Sequence, residues 1–136
     1  MDYSNEIHKL KTKITGEFAF VFVQVPSTYT QVYGSQQYGG FLDIAQPIYS
    51  GKIFRIENSS IVLAARFEYL DRNVGVFRET GDNIFDDMWS ITGGLNFRAS
   101  QNSVLKLNYL LKSQRDILGN DMGSDSGFIF GMSTYF

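Results

Sequence analysis

Gly127-Phe128-Ile129-Phe130-Gly131-Met132-Ser133-Thr134-Tyr135-Phe136 decides how the rest of the chain is read. Side chains alternate across an extended strand. Phe128, Phe130, Met132, Thr134 and Phe136 therefore share one face, and Gly127, Ile129, Gly131, Ser133 and Tyr135 share the other. Three Phe on one side of a strand ask for an apolar medium, while the small and polar residues among those opposite can meet water. A soluble sandwich strand also alternates, but it seldom stacks three Phe on one face. A strand with lipid on one side does.

Composition is compatible with that reading. The chain has 136 residues, 12 basic and 14 acidic, for a net charge of -2. It carries no dense Lys/Arg run of the kind that tracks phosphates, so nucleic acid is not an expected partner. There is no Cys, which removes disulfides, thiolate metal sites and Cys nucleophiles, and suits an oxidising envelope. No apolar run approaches the roughly 18 residues of a spanning helix. A spanning barrel needs none, because only every second residue touches lipid. The 12 Phe, 8 Tyr and 13 Gly against 2 Pro favour strands with tight bends. Met1-Asp2-Tyr3-Ser4-Asn5-Glu6 lacks a basic segment leading into an apolar one. An envelope protein is then expected to begin upstream, behind a removed leader or within a longer chain.

Working outward, the alternation recurs. Residues 7–25 read as one long strand, with Ile14, Phe18, Phe20 and Phe22 on a lipid-type face and Lys9, Lys11, Lys13 and Glu17 opposite. Pro26 breaks it. Residues 38–49 form the next strand, Leu42, Ile44 and Ile48 facing one way and Asp43 and Ala45 the other, with Pro47 ending or bulging it. Residues 50–60 are charged and ambiguous, with room for a short strand at 52–56. Residues 61–71 place Ile61, Leu63, Ala65, Phe67 and Tyr69 opposite Arg66 and Glu68. A polar loop spans 71–87. Trp89, Ile91, Gly93, Leu95 and Phe97 then alternate with Ser90, Thr92, Gly94, Asn96 and Arg98. After a turn at 99–102, Leu105, Leu107, Tyr109 and Leu111 alternate with Lys106, Asn108, Leu110 and Lys112. A second acidic loop spans 113–126.

Loop lengths agree with outer-membrane barrels, which pair short periplasmic turns with longer outer loops. With Phe136 at the periplasmic side, 113–126 lies outside, 99–102 inside and 71–87 outside. Residues 50–60 would lie inside and are longer than this pattern expects. Six strands are too few for a complete single-chain barrel, of which the smallest have about eight. The chain reads as a single segment, residues 1–136, closing a larger barrel.

Several motifs carry a family resemblance. Ala65-Arg66-Phe67-Glu68 with Leu70-Asp71 and Asn73, Thr92-Gly93-Gly94-Leu95-Asn96-Phe97, Asn102, Leu105-Lys106-Leu107-Asn108-Tyr109 and the final Phe136 resemble the C-terminal region of the phosphate-selective porins. Tyr38-Gly39-Gly40-Phe41 with Tyr49-Ser50-Gly51-Lys52 and Arg55 is a looser match upstream. The resemblance covers residues 38–136. It implies an antiparallel transmembrane β-barrel in the bacterial outer membrane, a homotrimer, and passage of solutes through a basic lumen. It also implies that Phe136 is the C-terminal aromatic read by the barrel assembly machinery. The slightly acidic charge and the missing Lys/Arg ladder depart from the family, so phosphate selectivity does not transfer.

The faces opposite the apolar ones hold Asp43, Arg66, Glu68, Asn96, Arg98, Lys106, Asn108 and Lys112, the candidate pore-lining set. Arg66, Arg98, Lys106 and Lys112 would favour anions, with Asp43 and Glu68 opposing that bias or holding the cations in place. The competing reading is a self-satisfying salt-bridge network on the wall. Asp82, Asp86 and Asp87, and Asp116, Asn120, Asp121 and Asp125, lack EF-hand spacing and read as solvated loops. The single His8 has no partner set for metal or triad chemistry, and nothing arranges Ser and Asp for catalysis. Neither an enzyme nor a cofactor site is expected. Trp89, Tyr29, Tyr33, Tyr38, Phe97 and Tyr109 fall near strand ends, where an aromatic girdle would sit. The expectation is an all-β, outer-membrane, porin-like channel in contact with lipid, passing small solutes, anionic ones among them. The rivals are a soluble lipocalin-type barrel, with the Phe-rich faces turned inward and Arg66, Asn96 and Lys106 outside, and a small structural or adhesive outer-membrane barrel.

Overall fold

The computed structural model describes residues 2–7, 11–26 and 34–134, the first six by backbone alone. His8, Tyr29, Tyr33 and Phe136 lie outside the described residues, and with them the insertion signal expected of Phe136. The described chain is all-β, without a helix. Its strands are β1 (Asp2–Ile7), β2 (Thr12–Phe22), β3 (Gln36–Ile53), β4 (Ile56–Asp71), β5 (Gly75–Val76), β6 (Asn83–Ile84), β7 (Asp87–Arg98), β8 (Ser103–Arg115) and β9 (Asp121–Thr134). Seven form one antiparallel sheet in the order β1-β2-β3-β4-β7-β8-β9. Each strand of that sheet pairs with its neighbour along the chain, apart from the small β5–β6 ladder inserted between β4 and β7. The sheet is open, because β1 and β9 do not pair with each other. It has seven strands where about six are expected, and it is not closed into a barrel.

Three boundaries differ from the sequence reading. Residues 7–25 are not one strand: Ile7 pairs with Thr12 across a hairpin, and Lys11 takes a left-handed φ of 51°. With neither Gly nor Pro in the connection, the alternating Lys residues concealed the turn. Residues 50–60, ambiguous in sequence with room for a strand at 52–56, instead hold the end of β3 and the start of β4. Ile53 pairs with Ile56, leaving a two-residue turn in which Phe54 and Arg55 both have positive φ, 49° and 69°. That is the twist-matched geometry of tight hairpins, normally filled by Asn-Gly. Ser59, 1% exposed, secures it: its hydroxyl donates to the Gly51 carbonyl at 2.9 Å and accepts from the Ile53 N–H at 3.1 Å. Residues 113–126 are mostly strand, with the connection reduced to 116–120. Pro47 bulges β3 without ending it, the register shifting between Pro47 and Tyr49.

One end of the sheet therefore carries the short turns at 54–55 and 99–102. The other carries the connections 23–35, 72–86 and 116–120. Register sorts the side chains by face. Leu42, Phe67, Ile91 and Leu111 form one row across β3, β4, β7 and β8, while Leu63, Leu95, Leu107 and Phe130 form another. The second face carries rows such as Asp43, Arg66 and Thr92, or Glu68, Ser90 and Lys112.

No apolar core lies between layers, because there is only one layer. Val62 and Ile84 are the buried apolar residues among those described, whereas Phe128, Met132 and Phe130 are 77%, 74% and 73% exposed. Burying one such side chain is worth about 1.5–3 kcal/mol. The apolar face forgoes that stabilisation unless something apolar covers it.

Candidate functional site

The polar face is the candidate site. All eight expected residues stand on it: Asp43 on β3, Arg66 and Glu68 on β4, Asn96 and Arg98 on β7, and Lys106, Asn108 and Lys112 on β8. They are not equivalent.

Arg66 is engaged on every side. Its Nε and Nη2 donate to the two Asp43 carboxylate oxygens at 2.6 Å each, in the forked geometry that suits guanidinium. Nη1 reaches Glu68 Oε1 at 3.4 Å, and the guanidinium carbon lies 4.5 Å from the centre of the Phe41 ring. Glu68 in turn accepts from the Ser90 hydroxyl at 2.8 Å. This Asp43–Arg66–Glu68–Ser90 chain ties β3, β4 and β7 together and cancels the charge on Arg66. Arg98, Lys106 and Lys112, by contrast, form no ion pair among the described residues. Arg66 is thus held in a charge network, while Arg98, Lys106 and Lys112 stand outside it among the described residues.

Asn108 has a structural partner that alternation did not reveal. Its side chain lies over Gly94, filling the space that a Cβ there would need. Asn96, Lys106, Asn108, Thr92 and Arg66 line a hollow of about 490 Å³. A second hollow, nearer the loop-bearing end, holds about 350 Å³ over Gly39 and Gly40. Both open on the polar face.

The loop-bearing end holds a cluster that the sequence reading treated as solvated loop. Asn73 is buried. Its side chain accepts from the Gly34 N–H at 2.5 Å and donates to Asp86 at 2.7 Å, and its own N–H donates to Asp71 at 3.0 Å. Arg72 Nη2 lies 2.9 Å from Asp86, and Asp87 forks with Arg115 at 2.8 and 2.9 Å. The one signal in the sequence was Asp71-Arg72-Asn73 followed by Asp86-Asp87, complementary charges bracketing one connection.

Aromatic residues sit at both ends of the apolar face. Tyr69 stands in the row above Phe67 with Trp89 beside it, and Tyr38, one row further on, lies 5.8 Å from Tyr69. Phe97 and Phe54 meet edge-on at 6.4 Å at the turn end. Tyr109 does not belong to this set: it stands mid-sheet, 4.9 Å from Phe128. Strand-end position cannot be judged until the strand's length is known, and β8 extends beyond the apolar run at both ends. No group of three metal-binding side chains occurs among the described residues. Compared with known proteins, the chain matches no family model, no curated protein and no solved structure.

Proposed function

We propose that this chain is part of the wall of an outer-membrane β-barrel that acts as a porin-like channel for small solutes. In this reading the apolar face meets lipid and the face carrying Arg66, Lys106 and Lys112 meets a water-filled lumen. The observation that carries it is the near absence of buried apolar residues beside a face of exposed Phe, Leu, Ile and Met. A soluble ligand-binding barrel encloses its apolar residues.

Dimensions support the reading. From Trp89 to Phe97, the apolar run of β7 covers roughly 26 Å of strand at about 3.3 Å per residue. Tilted by about 40°, it stands roughly 20 Å high, near the ~25 Å band of such barrels. Asp71, Asp87 and Arg115 bound it at one end, Ser59 and Ser103 at the other. Every strand of an open sheet placed in lipid must have its edges paired. The free edges of β1 and β9 therefore favour the closing portion of a larger barrel over a small self-contained one. The resemblance to phosphate-selective porins adds a homotrimer and delivery by the barrel assembly machinery to the proposal. The lumen charge argues for a weak anion preference, set by Arg98, Lys106 and Lys112, in place of a phosphate-specific site.

The test is reconstitution into planar bilayers with reversal potentials read in a salt gradient. Discrete conductance steps with a small anion-selective potential are expected. A monomer that dissolves without detergent and gives no conductance would overturn the reading.

A further inference from the structure

The polar face has an apolar exception. Ala19, Gly39, Leu70 and Met88 form one row across β2, β3, β4 and β7, with Val21 above it and Phe41 below. Further from the loop-bearing end, the next rows of the same face bring charged and hydroxyl groups, among them Asp43, Arg66, Thr92, Ser90 and Lys112. The floor of this niche is glycine by necessity. A Cβ on Gly39 would lie 2.9 Å from the Tyr69 carbonyl and 3.0 Å from the Leu70 side chain. The backbones approach so closely that side chains are excluded, and a hollow of about 350 Å³ results. That volume and lining match small-ligand sites, which are mostly apolar with a few placed polar groups.

The placed groups are carboxylates. Glu17, Phe41 and Glu68 are neighbours across β2, β3 and β4, so the two acids flank the lower rim of the niche roughly 10 Å apart, at two strand spacings. Glu68 is held by Ser90 and Arg66. Glu17 makes no hydrogen bond or ion pair among the described residues, and it lines the hollow directly. An apolar surface beside a carboxylate with no partner among the described residues selects for charge and shape together.

We propose that this niche binds small organic ammonium ions with a compact apolar ring or branched chain, the cation against Glu17 and the apolar body over Gly39 against Val21, Leu70 and Met88. A thioether against an aromatic ring is a favourable contact, which makes Met88 a reporter as well as a wall. The proposal takes from the porin reading only that this face is open to water.

The full chain in lipid nanodiscs, carrying 13C-methyl methionine, supplies the experiment. Only four Met are present, and Met88→Leu assigns the Met88 signal. Phenethylammonium should displace that signal saturably and leave Met132, on the apolar face, unmoved. Benzoate and methylammonium, which share only the ring or only the charge, should bind at least tenfold more weakly. Glu17→Gln should cost about tenfold in affinity, as expected for one charge pair at a partly desolvated site. Ala19→Phe, which fills the niche, should abolish binding. Three results would each overturn the proposal: no displacement, an equal response to benzoate, or undiminished affinity in Glu17→Gln. Protection of the Met88 methyl from a water-soluble paramagnetic agent would also overturn it, because the chain itself would then fill the niche. Conductance of the same preparation reports separately on the pore: conductance without binding sinks this inference alone, and binding without conductance sinks the porin reading alone.

Discussion

At the residue scale, Asp43 decides what Arg66 contributes. Removing the carboxylate in Asp43→Asn frees a guanidinium on the polar face, and in the proposed channel the anion-to-cation permeability ratio should rise, as expected when an acid is lost beside a lumen cation. Arg66→Gln leaves Asp43 unpaired and should shift the reversal potential the opposite way. Equal potentials in the wild type and both variants would place this pair away from the conduction path. Gly94 and Asn108 offer a packing test. Gly94→Ala puts a methyl where the Asn108 side chain lies and 3.2 Å from the Leu107 carbonyl, so it should destabilise by about 1–3 kcal/mol in urea unfolding from lipid vesicles. Asn108→Ala should recover most of that loss in the double variant, and full additivity would refute the contact. Asp116 gives the pH test. It accepts from the Asn120 side chain at 2.9 Å and from the Asn120 and Leu118 N–H groups at 2.8 and 2.9 Å. These bonds, the Asn120 side chain foremost, hold its carboxyl below the usual carboxylate range. A depressed pKa means that the ordering it gives the 116–120 connection is present above the unfolded value, about 3.9. That ordering is lost as pH falls through the folded value. The carboxyl 13C shift of Asp116 should titrate below about 3.9, and in Asn120→Ala the midpoint should move up toward it.

At the element scale, the two faces of β8 should respond oppositely to the same side chain. Leu107→Arg places a charge mid-band on the apolar face and should cost about 2–4 kcal/mol in lipid, whereas Asn108→Arg on the polar face should cost little. Matching penalties would mean that both faces are dry. The β3–β4 turn gives a second contrast. Phe54 and Arg55 adopt left-handed conformations that cost L-residues roughly 1–2 kcal/mol each, so Arg55→Gly should stabilise the protein. Ser59→Ala, which orphans the Gly51 carbonyl and the Ile53 N–H, should destabilise it by about 1–3 kcal/mol. The register explains why these elements were hard to bound from sequence. A turn of two ordinary residues and a hairpin through lysines leave no Gly, Pro or Asn signature, so alternation runs on past the bend.

At the scale of the whole molecule, the described chain is one layer whose outer strands β1 and β9 do not pair with each other, with an exposed apolar face. Soluble domains bury such a face against a second layer. Exposed apolar area of this extent without lipid or detergent should drive aggregation. Removal of detergent from the refolded chain should precipitate it, and addition of lipid vesicles should rescue it. A stable detergent-free monomer would contradict the lipid-facing assignment.

Alternation by itself determined that the chain is all-β and antiparallel, which residues share a face, and that Asp43, Arg66, Glu68, Asn96, Lys106 and Asn108 lie together opposite the Phe-rich side. A period of two is a local property, written in the order of residues. Two matters were left to tertiary structure: which cations are cancelled, and how Asn73 ties Gly34 to the 72–86 connection. Each depends on groups brought together from distant positions. Arg66 and Asp43 are 23 positions apart yet meet at 2.6 Å, and only the register between strands, which no single strand encodes, brings them into contact.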